Sequence, residues 1–196
     1  MLGLALWAGV LVGATPPLRS VWVVDVAHSQ IGFAVDHLGI SQVRGRFTRF
    51  EGRLELDGKH PDRSRVAIMV EASSIATDNP KRDAHLRSPD FFDAQRFPHL
   101  TFASDRVVGR GPHRYDVHGR LSIRGRVQPV VLTVTLTQPV LHPETGTRVR
   151  AASTRTTIDR TDYGLTWNRA LEAGGWLVGR EVDLDLSLEL VELERP

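Results

Sequence analysis

From Val21 onward the chain alternates apolar and polar residues with period two, in segments separated by turn residues, which is the pattern of half-buried β-strands. In Gln30 to His37, Ile31, Phe33 and Val35 share one face while Gln30, Gly32, Ala34 and Asp36 share the other. Tyr115, Val117, Leu121 and Ile123 alternate with Asp116, His118, Arg120 and Ser122, and Val182, Leu184, Leu186, Leu188 and Leu190 oppose Glu181, Asp183, Asp185, Ser187 and Glu189. One apolar and one polar face per strand predicts antiparallel structure, because parallel strands covered on both faces read as continuous apolar runs. Further strands are predicted at Arg44 to Leu56, Arg65 to Ser73, Leu100 to Asp105, Val130 to Thr137 and Val149 to Ile158, with a short one at Val21 to Asp25. About eight long strands of roughly ten residues suit an all-β, closed antiparallel barrel better than a sandwich. Apolar parity slips between Phe47 and Phe50, which predicts a bulge that bends the strand.

Asn79 to Pro98 breaks this pattern with a polar, helix-signalled insert. Asn79 before Pro80 and Ser88 before Pro89 each set a capping side chain ahead of a proline at the first helical position, predicting two short helices in tandem. The insert gathers Arg82, Asp83 and His85, then Phe91 and Phe92. It reads either as a plug for one end of the barrel, with the phenylalanines as stopper, or as a ligand-contacting gate. Asp83 and His85, two apart on a helix, point away from each other and do not form a catalytic pair.

An eight-stranded barrel is filled by its own side chains or holds one small ligand. The inward candidates are Ile31, Phe33, Val35, Phe47, Ile68, Val70, Phe102, Leu121, Leu132, Val134, Leu136 and Leu184, so the contents of any cavity must be apolar. Parity alone leaves both the filled and the hollow barrel open. Asp159 to Trp167 forms a second mixed cluster between strands. Arg160 could pair with Asp162 or Asp83, and Tyr163 and Trp167 could meet a ligand or a membrane surface. The alternative is a latch of buried aromatic and surface ion pair.

With 196 residues, 41% of them hydrophobic, the chain suits one domain. A formal net charge of +2 argues against nucleic-acid binding, and Arg44, Arg46 and Arg49 beside Phe47 and Phe50 read as a solvated outer face. The absence of cysteine removes disulfides, thiolate catalysis and thiolate metal sites. Eight histidines occur, yet none falls in an HxH or HExxH pattern and no GxSxG elbow is present, so neither metal, cofactor nor nucleophilic catalysis is expected. Leu2 to Ala14 is an apolar run ending in small residues, too short to span a bilayer comfortably, and residues 1–19 read as a secretory leader cleaved near Ala14, with a retained membrane anchor as the alternative.

Asp25 with His28 and Ser29, Ile31 and Phe33, Gly45 with Phe47, the stretch RDAHLRSPDFFDAQRFP, Gly119 with Leu121 and Gly125, and Arg160 to Gly164 together resemble the YceI-like family, over essentially all of residues 20–196. The resemblance implies a lipocalin-like antiparallel barrel, an exported or periplasmic location, and a cavity for a polyisoprenoid or similar long-chain lipid. On that reading the tail would meet Phe33, Val35, Phe47, Ile68, Val70, Phe91, Phe92, Phe102, Leu121, Leu132, Val134, Tyr163 and Trp167, and Arg82, His85 or Arg160 would meet a quinone oxygen or a phosphate. Burying a long prenyl tail from water at about 0.8 kcal/mol per CH₂ would exceed the roughly 18–21 kcal/mol ceiling on non-covalent affinity, so the relevant reference is membrane, and exchange can be reversible. The expected function is non-catalytic carriage or sequestration, with transient membrane contact and a homodimer as further expectations to test. A small lipid-modifying enzyme and a stress-related interaction module with a filled barrel are the rival readings.

Overall fold

The computed structural model describes residues 19–172 and 174–193. The leader reading over residues 1–19 therefore lies, apart from Arg19, outside the described residues. Among these residues eleven strands and one short α-helix follow in the order β1 (Ser20–His37), β2 (Ser41–Phe47), β3 (Phe50–Leu56), β4 (Arg65–Glu71), β5 (Ile75–Ala76), α1 (Pro80–Arg87), β6 (His99–Gly109), β7 (Arg114–Ile123), β8 (Arg126–Leu136), β9 (Val140–Leu141), β10 (Arg148–Asp159) and β11 (Val178–Glu192). All named pairings are antiparallel, and the sheet closes because β1 also pairs β11, from Trp22 opposite Glu192 to His37 opposite Val178. The result is an eight-stranded barrel, since β2 with β3, and β4 with β5, are each one stave bent in the middle.

Both bends occur at one level. β1 pairs β2 through Ile31 and Phe47 and pairs β3 through Trp22 and Leu54. Where the sequence pattern predicts a bulge, Thr48 and Arg49 leave the ladder altogether, and this break lets Phe47 and Phe50 both bury inward despite their odd spacing. The neighbouring stave breaks at Ala72–Ser74, and the two are clamped together. The Arg49 guanidinium forks onto the Glu71 carboxylate, the Glu71 N–H donates to the Arg49 carbonyl at 3.0 Å, and the Thr48 N–H donates to the Ser74 carbonyl at 3.2 Å. In β1 the register to β11 shifts between Asp25 and Gln30. Asp25 braces that bulge by accepting from the Ala27 N–H at 2.9 Å and meeting His28 Nδ1 at 2.8 Å, while the Ser29 hydroxyl oxygen accepts from the Glu189 N–H at 2.9 Å. Asp25, His28 and Ser29 thus have a structural reason to stand together.

Two glycines mark places where a ring occupies the space of a side chain. A Cβ on Gly45 would lie 2.3 Å from the Phe33 ring, and one on Gly119 would lie 2.5 Å from the Ala103 carbonyl and 2.6 Å from the Phe102 ring. Pro129 sits in β8, whose ladder to β10 is confined to Ala152 with Leu136 and Ser153 with Thr135, so the missing proline N–H falls where β8 has no ladder partner on that side. Trp22, 1% exposed, packs under Arg148 and Arg150 with guanidinium-to-ring distances of 6.0 and 5.2 Å.

The insert carries one helix where the sequence pattern predicts two. Asn79 caps α1 as expected, its side chain accepting from the Arg82 N–H at 3.1 Å. After Ser88 the chain forms consecutive turns, because the Ser88 carbonyl accepts from both Phe91 and Asp93 and Asp93 takes a left-handed φ of 47°, which ends any helical run. Ser88–Pro89 therefore signals a turn.

Gly119→Ala should destabilise the barrel by about 1–3 kcal/mol in denaturant titrations, since backbone and a packed ring both block the new methyl group. The Arg49 hydrogen bond holds the Glu71 carboxyl at about 2, below its ordinary 4.5. Its contribution to stability is thus complete above pH 4.5 and lost as pH falls toward about 2, and Glu71→Gln should flatten melting temperature against pH across that window.

Candidate ligand-binding site

The upper half of the barrel encloses a cavity of about 490 Å³ beneath the insert. Its walls come from inward residues of the staves, including Phe33, Val35, Phe47, Ile123, Ile158 and Leu184, and its cover from Leu86, Phe91 and Phe92 of the insert and Trp167 of the loop before β11. A line of rings joins wall to cover: Phe33 to Phe47 at 5.9 Å, Phe47 to Phe92 at 5.8 Å, and His85, Phe91 and Trp167 mutually within 4.7–5.3 Å. The polar lining residues Asp36, His37, Asn79, Lys81, Arg82 and His85 are exposed or half-buried and so form the mouth.

Polar contacts hold the cover in place. Asp83, itself buried, accepts from the Thr77 N–H at 2.9 Å and the Thr77 hydroxyl at 2.6 Å, and Arg87 donates to the Ser73 and Ile75 carbonyls at 2.7 and 2.8 Å. Arg124 bridges the insert to the second loop by donating to the Pro89 and Gly164 carbonyls, both at 2.7 Å. Nothing in the sequence pattern singles out Arg124, because its role depends on two loops far apart in the chain.

Arg160 is 4% exposed and reaches neither Asp162 nor Asp83. It donates to the carbonyls of Gly179 at 2.7 Å and Trp167 at 3.0 Å, with further bonds to Leu165 and Val178. Burial lowers its pKa from the ordinary arginine value. Four carbonyl partners make it the organiser of the Trp167 loop; it lines the cavity wall but has little left to offer a ligand. Tyr163 is 2% exposed, is absent from the lining of the large cavity, and burial pushes its pKa up to about 12. The Asp159 to Trp167 cluster thus divides, with Tyr163 and Arg160 forming the latch and Trp167 facing the cavity.

The expected tail contacts separate into groups. Phe33, Val35, Phe47, Phe91, Phe92 and Trp167 line the large cavity together with Arg82, His85 and Arg160. Ile68, Phe102, Leu132 and Val134 line a second cavity of about 110 Å³ in the lower half of the barrel. Val70 and Leu121 border neither. Lys81 is the mouth residue that sequence reasoning missed: it is exposed, lines the cavity and has no hydrogen bond or ion pair among the described residues, whereas Arg82 already donates to the Thr77 hydroxyl and carbonyl at 2.7 and 2.8 Å. Its signal was only a lysine beside the helix cap.

Among the described residues no hydroxyl or thiol side chain lines the large cavity. His85 Nε2 is 2.8 Å from Asp90 Oδ2, so its acidic partner lies on the insert. The geometry is suited to holding an apolar body with a polar end. Three carboxylate or imidazole groups outside it, Asp25, His28 and Glu189, place ligand atoms within 4.8 Å of one another at the β1 bulge, where they serve the bracing described above.

The model of the YceI-like domain matches residues 22–190. A UPF0312 protein of Vibrio cholerae is 32% identical over 173 residues, covering 87% of each chain. One from Staphylococcus aureus is 33% identical over 165 residues, covering 84% of this chain and 94% of that one. Among solved structures, Burkholderia cenocepacia BcnA superposes with a TM-score of 0.73 at 21% identity, over 85% of this chain and 98% of that one. A Campylobacter jejuni YceI protein gives a TM-score of 0.69 at 24% identity, over 81% and 90%. A polyisoprenoid binding domain from Saccharophagus degradans gives 0.67 at 13%, over 88% and 98%. These three likenesses share the fold, while the family match and the curated relatives span nearly all of the barrel, and on that ground the chain belongs to the YceI-like domain family.

Proposed function

We propose that this protein is a non-catalytic carrier or sequestering protein for an isoprenoid or similar long-chain amphiphile, with the apolar tail in the upper cavity and the polar head at its mouth. One observation carries the reading: a cavity of about 490 Å³ is walled mainly by aliphatic and aromatic residues, with Lys81 and Arg82 at the open end and the buried Arg160 engaged with backbone carbonyls. Volumes of roughly 300–1,000 Å³ with apolar walls and few polar groups are typical of small-molecule sites. The likeness to a domain described as polyisoprenoid binding supports the same ligand class. Export is part of the reading, since an amphiphile of this kind is exchanged with a membrane and the apolar run of residues 2–14 resembles a leader. Transfer between two apolar surroundings is close to neutral, so the ligand can be released as well as bound.

Native mass spectrometry of the purified protein, followed by solvent extraction, should show a co-purifying amphiphile or uptake of an added prenyl quinone; the absence of both would refute the carrier reading. Lys81→Ala should weaken a phosphate-headed prenyl ligand roughly two- to fivefold and leave a neutral prenyl alcohol unchanged, because an exposed cation contributes modestly. Equal losses for both heads, in a fluorescence titration reading Trp167, would place the head elsewhere.

A further inference from the structure

Large apolar side chains stand exposed on two adjoining turns at the rim of the upper cavity. The β1–β2 turn carries Leu38, 37% exposed, and Ile40, 83% exposed, and the loop before β11 carries Trp176, 60% exposed. The Leu38 N–H donates to the Leu177 carbonyl at 3.0 Å, which sets the two turns side by side. Each is closed by backbone bonds of its own: the Ile40 N–H donates to the His37 carbonyl at 3.2 Å, the Leu177 N–H donates to the Arg169 carbonyl at 2.9 Å, and Ala170 bridges to Trp176. The residues that flank them, Asp36, His37, Leu177 and Val178, line the cavity. The exposed apolar group therefore continues the cavity wall outward past its mouth.

Folding gives no reason for these residues at these positions. Turns ordinarily carry polar residues or glycine, and Leu38 holds a left-handed φ of 59°, where glycine, asparagine or aspartate is favoured. One exposed leucine needs no explanation, but three large apolar side chains gathered at one opening mark a contact surface. Resting on the carriage reading above, we propose that Leu38, Ile40 and Trp176 form a docking tip for the surface of a phospholipid bilayer. Docking sets the cavity mouth against the membrane, so that an amphiphile enters or leaves without its tail crossing water.

Size and chemistry favour a bilayer over a protein partner. A stable protein interface buries about 800 Å² on each side, more than three side chains offer, whereas a bilayer takes up a few protruding side chains and holds them in proportion to their apolar area. Tryptophan suits that boundary, since its body is apolar and its N–H stays at the polar level. The charged groups of the rim nearly balance, with exposed Lys81 and Arg169 standing against Asp36 and Glu172, so insertion rather than charge attraction carries the docking. Val140 and Leu141 are also exposed, but they stand on β9, which pairs with Arg148 and Val149 beside the Arg150 of the lower cavity, at the far end of the barrel. Docking by that end would leave the mouth facing water.

The chain has no cysteine, so Ile40→Cys and, separately, Leu141→Cys each give a single site for a polarity-sensitive fluorophore. On addition of phosphatidylcholine vesicles the label at position 40 is expected to shift to the blue and to lose most of its quenching by aqueous iodide, while the label at position 141 stays as it is in water. No change at position 40, or an equal change at both, would overturn the tip. Protection of position 40 before vesicles are added would show the tip covered by another part of the chain or by a second copy, and would overturn it too. The combined variant Leu38→Asn, Ile40→Ser, Trp176→Ser should melt as the parent protein does and bind vesicles at least about tenfold more weakly, since each inserted methylene counts several-fold. Its uptake of a prenyl quinone dispersed in detergent should be unchanged, because none of the three residues lines the cavity. Unchanged vesicle binding by this variant would overturn the tip and leave carriage standing. Docking by a parent protein that takes up no quinone would overturn carriage, and with it the transfer role of the tip.

Discussion

Closure of the sheet by the β1–β11 ladder is the constraint on which everything else in this protein depends. Once eight staves form a ring, every inward side chain shares one interior of nearly fixed width, and strand pairing alone decides which of them meet at each level. The period-two pattern supplies an apolar residue at almost every inward position, which ordinarily would fill the barrel. The space that remains is roofed by the covering insert. Its own anchors, Asp83 on Thr77 and Arg87 on the Ser73 and Ile75 carbonyls, are polar contacts to the β4–β5 region and leave the phenylalanines free to roof the cavity.

The bends in the wall follow from the same constraint. A straight stave through Phe47 and Phe50 would turn one ring outward, so the chain leaves the ladder for two residues, and the neighbouring stave bends in step because its partner does. The exposed ends of backbone at such a break need partners. They are met by the exchange of bonds among Thr48, Arg49, Glu71 and Ser74, with the Arg49–Glu71 fork closing the outer side. A surface ion pair of this kind adds modestly to stability. Its value lies in holding two breaks at one height.

Arg160 shows how a functional reading of charge can mislead. Its place among acidic and aromatic residues suggests an ion pair or a head-group contact, yet a buried guanidinium with five donors is also an efficient way to gather stray carbonyls. The loop from Arg160 to Val178 runs without a strand ladder over much of its length, and Arg160 satisfies the Leu165, Trp167, Val178 and Gly179 carbonyls that would otherwise be stranded. Trp167 reaches the cavity because Arg160 holds the backbone beneath it. Lys81, by contrast, gave no sequence signal beyond being polar, and it stands exposed at the mouth with no hydrogen bond or ion pair among the described residues.

The fold was largely legible in the sequence. Alternation fixed the strands and their inward faces, since side chains on a strand must point to opposite sides, and Asn79 before Pro80 fixed the start of the helix through a local capping bond. The motif in the insert located the covered end and pointed to the family. Local signals failed where the outcome was set by partners far away: Ser88–Pro89 promised a helix that the left-handed Asp93 prevents, and the parity slip promised a bulge where the ladder breaks. Above all, parity could not tell a lining residue from a packed one. Phe33, Val70 and Phe102 look alike in sequence, and only the packing of staves remote in the chain sets the first against the upper cavity, the third against the lower one and the second against neither. Facing inward is a property of a residue and its neighbours in the chain; bordering a space is a property of what stands opposite it across the barrel.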